Sequence, residues 1–340
     1  MRIAIDAMGT DTAPAAEVEG AVRALRQLDS DIEIVLVGDE PTLRASVQEL
    51  VTQGLVDAPM NRLHFRHAPD RVLPGEPAAT VLRKRPESSI AVGAGLLRER
   101  EVDAFVSAGS TGAVMAASLF ALRPLPGVER PAVATVLPTS GAPTLLLDAG
   151  TNVDCKPRHL VQFAHLGHVY ARNLLGVDNP RVGLLNVGEE ATKGDERSIE
   201  TYALLAADER LNFVGNVEGR DIIHGVCDVL VTDGFAGNIL LKFYESIATF
   251  MVSLLQTELT RSKQQIDLPE ILKSLDYSEY GGAPLLGVNG VTIICHGGSS
   301  AKAICSAVRA AAQTVRTDMV AEMASDLLAL SEANLPENAS

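Results

Sequence analysis

The sequence predicts an α/β fold: an open, mainly parallel β-sheet with helices on both of its faces. Three observations predict it. Short runs of β-branched and apolar residues alternate with longer helical stretches along the 340-residue chain, and this alternation is typical of parallel sheets. Most of the short runs are apolar on both faces, as strands covered on two sides should be. Polar, glycine-rich loops directly follow several of the runs.

The elements are assigned in chain order from these patterns. Short runs rich in β-branched residues predict strands at Arg2–Asp6, Ile32–Val37, Leu63–Arg66, Val102–Ser107, Ala132–Leu137, Thr144–Asp148, Arg181–Asn186, Val229–Asp233 and Val291–Cys295. The longer stretches between them predict helices at Glu17–Leu28, Leu43–Gln53, Ser89–Glu99, Arg158–Leu175, Ile199–Asp208 and Ser300–Leu330. Residues 1–330 are predicted to form a single α/β domain, and residues 331–340 a polar C-terminal tail.

An apolar stretch predicts a helical hairpin, at about residues 238–275, that projects from the sheet. One stripe follows helical spacing, through Leu240, Phe243, Ile247, Phe250 and Leu254. Arg261 and Lys263 follow, and then a second helical run. The stripe has two interpretations. It packs in a core or between two subunits, or its tip contacts a membrane through Leu254, Leu255 and Leu259.

Composition excludes several classes of function. Lys plus Arg number 29 and Asp plus Glu number 43, so the formal net charge is −14, which argues against a general nucleic-acid binder. The four cysteines, at 155, 227, 295 and 305, have no zinc or disulfide spacing, and they fit a reducing cytosol. The first residues, MRIAID, read as a strand and not as a signal peptide.

Six polar loops directly follow predicted strands, and in an open parallel sheet ligands bind at that edge. We therefore expect them to line one cleft. They are residues 6–11, 107–112, 148–152, 186–190, 233–238 and 296–300.

Two of these loops, residues 107–112 and 296–300, open predicted helices. Free N–H groups at a helix start bind anions, and glycine lets the backbone come close. This pattern favours a phosphate site, although a tight turn with a helix cap explains each loop equally well. No dinucleotide fingerprint, P-loop or nucleophile elbow occurs, and no spacing of ligands predicts a metal.

Some cations and thiols need separate consideration. Lys193 follows the loop at 186–190 and is the isolated cation best placed to reach a ligand. Arg83, Lys84 and Arg85 form a dense basic group, which is either a solvated surface or a docking site for an anionic partner. Cys295 and His296 are neighbours on a strand, so their side chains should point to opposite faces and not act as a catalytic pair.

Seven motifs occur in one order along the chain: DAMGTDTAP, SAGSTGA, LDAGTN, GLLNVGEEATKGDE, TDGFAGNILLK, DYSEYGGAPLLGVNG and HGGSSAKA. Together they resemble the acyl-carrier-protein-dependent phosphate acyltransferases of bacterial phospholipid synthesis, over residues 1 to about 316. Two positions depart from the family pattern: Thr10 stands where glycine is usual, and Ser110 where asparagine is usual.

The resemblance implies a reaction in which an acyl-[acyl carrier protein] and inorganic phosphate give an acyl phosphate and the free carrier. It implies a fold similar to phosphotransacetylase and the isocitrate dehydrogenase group, and a homodimer. It also implies a cytoplasmic enzyme that associates peripherally with the inner face of the membrane. There it passes its product to a membrane glycerol-3-phosphate acyltransferase.

Site roles are hypotheses on this basis, and no cofactor or metal is expected. Lys193, Asn238 and His296 are the catalytic candidates, and Asn152 and Asn186 orient them. Phosphate is held by Gly109, Ser110, Thr111, Gly112 and Ser299, and Arg83, Lys84 and Arg85 dock the carrier. Three alternatives stay open: a phosphotransacetylase on short acyl-coenzyme A, a metal-dependent decarboxylating dehydrogenase, and a non-catalytic acyl-binding module.

Overall fold

The computed structural model describes residues 1–52, 54, 59–73, 75–77, 82–262 and 281–333. The chain falls into two compact units. Unit 1 comprises Met1–Pro131 and Tyr280–Ser340, and unit 2 comprises Ala132–Glu279. The sequence predicted one domain over residues 1–330, and that grouping stays a prediction. Each unit has its own set of strands with helices packed against them.

In unit 1, the described residues form six strands, in the order β3-β2-β1-β4-β11-β10. The first five of these are mutually parallel, and β10 runs antiparallel to β11. The strands are β1 (Arg2–Asp6), β2 (Glu33–Gly38), β3 (Leu63–His67), β4 (Ala104–Ser107), β10 (Ala283–Leu286) and β11 (Val291–Ile294). The helices are α1 (Ala15–Gln27), α2 (Glu40–Thr52), α3 (Ser89–Arg98), α4 (Thr111–Leu122), α8 (Ala301–Arg316) and α9 (Met319–Ala333).

Helices cover both faces of the unit 1 sheet, as predicted. Side chains of one face, such as Ile5 and Val106, share a buried core with α1 and α8. Phe105 points to the other face because successive strand residues alternate. Its ring packs against Gly93 of α3, where any side chain would collide with it. Burial on both sides explains why these strands are apolar throughout.

The part of unit 2 that the structure describes, residues 132–262, contains five strands, in the order β5-β6-β9-β7-β8. β5 and β6 are antiparallel, and the other neighbours are parallel. The strands are β5 (Ala132–Leu137), β6 (Thr144–Leu147), β7 (Arg181–Asn186), β8 (Asn212–Glu218) and β9 (Val229–Val231). The helices are α5 (Pro157–Leu174), α6 (Glu196–Ala207) and α7 (Gly234–Ser262). The mainly parallel α/β class predicted from the sequence is therefore confirmed.

α7 is the first arm of the predicted hairpin, and it begins at Gly234 and not at residue 238. The rest of the predicted hairpin, residues 263–275, lies outside the described residues. Within α7, the segment Gly234–Leu255 is long and apolar enough to cross a membrane by length and composition alone. Helices in soluble cores also meet that criterion. Unlike a core helix, however, this segment buries only Gly234 and Gly237.

Three local predictions were wrong, each for a physical reason. β8 was missed because its sequence, NFVGNVE, contains glycine and asparagine, and its pairing with β7 is irregular between Val182 and Gly183. β10 was missed because Pro284 argues against a strand. The single helix expected at Ser300–Leu330 is two helices, since Asp318 adopts a positive φ of 51° between them. α9 also continues to Ala333, into the predicted tail.

Candidate functional site

Three loops of unit 1 meet at one edge of its sheet. β1, β4 and β11 are parallel neighbours, so their carboxyl ends lie side by side. The loops that follow them are residues 6–11, 107–112 and 296–300. Two of these loops lead into helices, α4 at Thr111 and α8 at Ala301. This edge therefore brings together all the phosphate-binding residues predicted from the sequence, and His296.

The start of α4 presents backbone donors and a hydroxyl. The first helical bond runs from the Val114 N–H to the Ser110 carbonyl at 2.9 Å, so the N–H groups of residues 111–113 precede the helical ladder. Ser110 occupies the N-cap position, but its side chain accepts no capping hydrogen bond. Gly109 was predicted to bind phosphate. In the structure, however, its N–H already donates to Ser107 Oγ at 3.1 Å.

The first loop, residues 6–11, braces both of its neighbours, which the sequence analysis did not recognise. Ser107 Oγ donates to Asp6 Oδ2 at 2.6 Å. The Asp11 N–H donates to the Gly297 carbonyl at 2.8 Å. A side chain at Gly9 would place its Cβ 2.6 Å from the Gly109 nitrogen. The loop therefore fixes the spacing of the other two.

The Asp6 carboxyl is fully buried. Burial raises its pKa above the ordinary value, and hydrogen bonds from Ser107 and Ser89 offset part of that effect. Arg71 lies near and also favours the charged form, and its guanidinium donates to the Thr10 carbonyl at 2.8 Å. Asp6 thus positions Ser107, and through it Gly109, without facing solvent.

His296 is exposed at the start of the third loop. Its Nδ1 accepts the Gly298 N–H at 3.1 Å, so the neutral ring carries its proton on Nε2. Ser299 is half-buried, and its N–H donates to the His296 carbonyl at 2.9 Å. Ser300, by contrast, caps α8 by accepting the Ala303 N–H at 3.3 Å. His296 Nε2 and the Ser299 hydroxyl are the groups that this loop offers to a ligand.

Unit 2 has a corresponding edge, where the loops after β6, β9 and β7 lie side by side because these strands are parallel neighbours. Asp148, fully buried, organises the first loop. Its carboxylate accepts the N–H groups of Val133 at 3.1 Å and Asn152 at 2.6 Å, and the Asn152 side-chain amide at 2.9 Å. Burial raises the pKa of Asp148, and these hydrogen bonds counteract the rise.

Asn238 lies at the start of the second turn of α7 and is exposed. Its side chain packs against Gly150, at 3.3 Å from the position of a Cβ there. A side chain at Gly237 would collide with the Asp148 carbonyl oxygen, so only glycine lets α7 begin this close to the loop. The Asn152 carbonyl accepts the Gly234 N–H at 2.7 Å. Asn152 therefore fixes the start of α7, and its role in orienting Asn238 stays a prediction.

Lys193 is held by Asn186, whose side-chain amide donates to the Lys193 carbonyl at 3.0 Å. The Lys193 side chain is 51% exposed, and its Nζ lies 4.0 Å from Glu190 Oε1. That contact is too long and too exposed to hold the lysine firmly. Lys193 is consequently an accessible cation, and Asn186 acts on it through the backbone.

The sequence analysis missed a second cation in unit 2. Arg197 Nη2 lies 2.8 Å from Asp233 Oδ2, and the same carboxylate accepts the N–H groups of Phe235 and Ala236 at the start of α7. The Nε of Arg197 is buried and has no hydrogen-bond partner among the described residues. In the sequence, the one signal that could have indicated Arg197 is its position four residues after Lys193.

The predicted docking residues differ in how far they are paired. Arg83 and Lys84 are exposed. Arg85 is partly committed, because its guanidinium donates to the Arg71 carbonyl at 2.8 Å and to Glu76 Oε1 at 3.1 Å. Arg83 and Lys84 are therefore the better candidates for a partner's acidic surface.

The four cysteines are free and buried. Burial raises the pKa of Cys295 to about 12, so at neutral pH it is a thiol and a poor nucleophile. We expect Cys295→Ala to keep most of its activity, measured as thiol release from an acyl thioester. A folded Cys295→Ala protein without activity would contradict this expectation and would indicate that Cys295 acts as a nucleophile.

Among the described residues, no group of three or more His, Cys, Asp or Glu side chains is placed to hold a metal ion. The buried acids Asp6 and Asp148 accept hydrogen bonds from N–H and hydroxyl groups of their own loops and of neighbouring elements. The accessible groups are hydroxyls, backbone N–H groups, amides, an imidazole and a lysine. Such groups bind anions and stabilise negative charge.

Comparisons with known proteins agree with this chemistry. A protein-family model described as "Fatty acid synthesis protein" matches residues 1–322. A phosphate acyltransferase of Desulfitobacterium hafniense is 47% identical over 96% of this chain and 98% of the relative. A phosphate acyltransferase of Geobacter sulfurreducens is 47% identical over 93% of this chain and 91% of its own.

Among solved structures, a phosphotransacetylase from Streptococcus pyogenes is similar, with a TM-score of 0.61 and 17% identity over 93% of this chain and 94% of that one. A branched-chain phosphotransacylase from Enterococcus faecalis gives a TM-score of 0.58 at 15% identity, over 93% of this chain and 99% of that one. These two confirm the predicted likeness to the phosphotransacetylase fold. The sequence relatives confirm the resemblance drawn from the seven motifs: the chain belongs to the fatty acid synthesis protein family matched over residues 1–322, and it is an acyltransferase.

Proposed function

We propose that this protein transfers a fatty acyl group from an acyl-[acyl carrier protein] to inorganic phosphate. The observation that carries the proposal is the start of α4, where the N–H groups of residues 111–113 precede the helical ladder and the Ser110 hydroxyl accepts no capping hydrogen bond. Such a helix start suits a phosphate dianion. The names of the sequence relatives, phosphate acyltransferases, support phosphate as the acyl acceptor.

The proposed chemistry is a direct attack. A phosphate oxygen forms a bond to the thioester carbonyl carbon, the C–S bond breaks, and the carrier leaves as a thiolate that takes up a proton. Phosphate has its second pKa near 6, so it is mostly a dianion at neutral pH and needs little help from a base. A thiol with a pKa of about 8–9 leaves with little help from an acid.

What the protein must supply is position and charge stabilisation. In this proposal Ser110, Thr111, Gly112 and Ser299 hold phosphate, with Gly109 shaping their loop. Lys193 and Asn238 stabilise the oxyanion that forms on the thioester, and His296 donates from Nε2. No covalent nucleophile, metal or organic cofactor takes part.

The test measures thiol release and hydroxylamine-trapped acyl phosphate from purified protein in a chelator, with phosphate titrated. Palmitoyl thioesters of an acyl carrier protein and of coenzyme A are compared with each other and with acetyl-coenzyme A. We expect release that requires phosphate and favours the carrier. Preference for a short acyl-coenzyme A would support the phosphotransacetylase alternative. Activity lost in chelator and restored by zinc or magnesium would contradict the mechanism.

The carrier docks on the basic group in this proposal. Acyl carrier proteins are acidic, as the family resemblance implies, and this chain carries −14, so a local positive patch must offset the repulsion. We expect Arg83→Glu with Lys84→Glu to raise the KM for the carrier roughly tenfold or more at low salt. The KM for phosphate should stay unchanged.

A matched control reverses Arg98 and Arg100, which are exposed in the same unit. It changes the net charge equally and should leave the KM for the carrier close to that of the wild type. A rise in the KM for phosphate in the Arg83 and Lys84 variant would instead place these residues at the chemistry.

The cellular setting is also proposed. The protein would act in the cytoplasm as a homodimer, associate with the inner face of the membrane, and pass acyl phosphate to a membrane glycerol-3-phosphate acyltransferase. The exposure of apolar side chains on α7 supports a lipid contact, with Leu254 46% exposed and Leu255 37% exposed. The side chain of Leu259, the third predicted contact, lies outside the described residues.

A further inference from the structure

Two carboxylates each hold the start of a helix at the loop edge of unit 2. Asp195 is the N-cap of α6, and its Oδ1 accepts the Ser198 N–H at 2.8 Å. Asp233 precedes α7, and its Oδ1 accepts two N–H groups at the start of that helix. Asp195 lies two residues after Lys193, and Asp233 leads into the helix that carries Asn238. Each carboxylate therefore belongs to a segment that carries one of the groups proposed to stabilise the oxyanion.

Arg197 joins these two carboxylates through a single nitrogen. Its Nη2 lies 2.8 Å from Asp233 Oδ2 and 3.2 Å from Asp195 Oδ2. The Asp233 side chain is 9% exposed and that of Arg197 28%, so solvent screens this end of the bridge only weakly. The bridge thus connects the segment that carries Lys193 to the start of α7.

Other contacts fix the Lys193 segment to the sheet. Asn216 of β8 is buried, and its side-chain amide donates to the Glu190 carbonyl at 2.9 Å. The same carbonyl accepts the Lys193 N–H at 3.0 Å. Asn186 of β7 holds the Lys193 carbonyl. These contacts anchor the segment to β7 and β8 but do not reach α7, and Arg197 supplies that connection.

Without the cation, the two carboxylates would repel each other. Because one nitrogen contacts both, their oxygens lie within about 6 Å of each other, a distance at which like charges interact strongly in a partly buried setting. The repulsion would push the Lys193 segment away from the start of α7. A displacement of about 1 Å caused by a change away from the reacting atoms can lower a rate roughly 100-fold.

We propose that Arg197 is a positioning residue that sets the spacing of Lys193 and Asn238. It does so by holding the two carboxylates, Asp195 and Asp233, together. The inference rests on the proposed function, because the oxyanion roles of the lysine and the asparagine are assigned there. The bridge uses Nη2 alone, and the buried Nε has no hydrogen-bond partner among the described residues. A single ammonium can therefore replace the guanidinium, which would fail if the planar fork of the arginine bound a substrate.

The first test removes the bridge and then restores its charge. Arg197→Met should lower kcat roughly 10- to 100-fold, with smaller changes in the KM values, because the spacing matters most in the transition state. Arg197→Lys should recover most of the loss. A loss in Arg197→Lys as large as in Arg197→Met would make Arg197 a direct ligand and overturn the positioning role.

Arg181→Met is the matched control. Arg181 pairs with Asp228, whose side chain is 8% exposed, much like that of Asp233. It is the first residue of β7, however, at the opposite end of the strand from the loop edge. Both methionine variants should lower the urea midpoint, since each leaves a buried carboxylate without its cation. Arg181→Met should keep the kcat of the wild type, and an equal loss of kcat in the two variants would reduce Arg197 to a structural role.

A double-mutant cycle shows whether Arg197 acts through Lys193. In the Lys193→Ala background, Arg197→Met should lower kcat by less than about threefold, because the effects of coupled residues are not additive. The full loss in that background would overturn the proposal. If Arg197→Met fails to fold, Asp195→Asn replaces it in the cycle. Asparagine still caps α6 but gives up one end of the bridge, so kcat should fall in the same direction and show the same dependence on Lys193.

Backbone hydrogen exchange in the ligand-free protein tests the bridge without turnover. Arg197→Met should speed exchange in peptides that cover residues 187–195 and 233–238, and Arg181→Met should not. Unchanged exchange in Arg197→Met would reject the bridge, whether or not the wild type turns over. Exchange that responds as expected, in a protein whose wild type shows no phosphate-dependent thiol release, would uphold the bridge and reject the proposed function.

Discussion

Lys193→Ala and Asn238→Ala are each expected to lower kcat roughly 100- to 1,000-fold, the typical cost of removing one donor to a developing oxyanion. The loss should fall on kcat more than on KM, because the oxyanion exists only in the transition state. Thiol release at saturating phosphate and carrier measures it. The proteins should stay folded, since both side chains are exposed and Lys193 makes only a 4.0 Å contact with Glu190.

Lys242→Ala is the matched control. Lys242 is an exposed lysine of unit 2 that pairs with Glu245 at 2.9 Å, and its loss should leave kcat close to that of the wild type. Near-normal turnover in Lys193→Ala would mean that another cation stabilises the oxyanion. Arg197 would be the first to test, because its Nε is buried without a partner among the described residues.

Asp148→Ala should lower the free energy of unfolding by about 3 kcal/mol or more. Removing the carboxylate leaves several N–H groups buried without an acceptor, and each unsatisfied group costs roughly 1–3 kcal/mol. Urea denaturation, followed by circular dichroism, measures the change. Activity should also fall in protein that remains folded, because the Asp148 loop packs against Asn238 through Gly150.

Asp154→Ala removes an exposed carboxylate close by in the sequence, and it should change the unfolding free energy by less than about 0.5 kcal/mol. A similar small change for Asp148→Ala would mean that the loop does not depend on this carboxylate. The site geometry described for unit 2 would then lose its physical explanation.

Much of the fold could be predicted from local pattern. Strands such as Arg2–Asp6 and helices such as Pro157–Leu174 follow directly from apolar runs and their spacing. The loops at 107–112 and 296–300 were correctly placed at helix starts. The failures were β8, β10 and the break at Asp318, where glycine, proline or a positive φ weakens the local pattern and contacts made elsewhere fix the backbone.

The candidate site divides in the same way. The sequence analysis chose Lys193 and Asn238 as a cation and an amide in the motif loops, and in the structure both side chains are exposed. It commits other groups: the Gly109 N–H to Ser107, and Asn186 to the Lys193 backbone. It also adds the braces at Asp6 and Asp148 and the cation Arg197. That the six loops line one cleft stays a prediction.

The sequence by itself determined the α/β class and the order of most of the elements, and it predicts an anion-binding character for two loops. These depend on periodicity and on residue types at neighbouring positions, which the chain carries locally. Only the tertiary structure decided which donors are already paired and where buried carboxylates brace the loops. It also decided that Leu255 of α7 lines an apolar groove in unit 2, whereas Leu254 does not. Pairing and burial depend on residues far apart in the chain, such as Asp6 and Ser107, and no local pattern records that they meet.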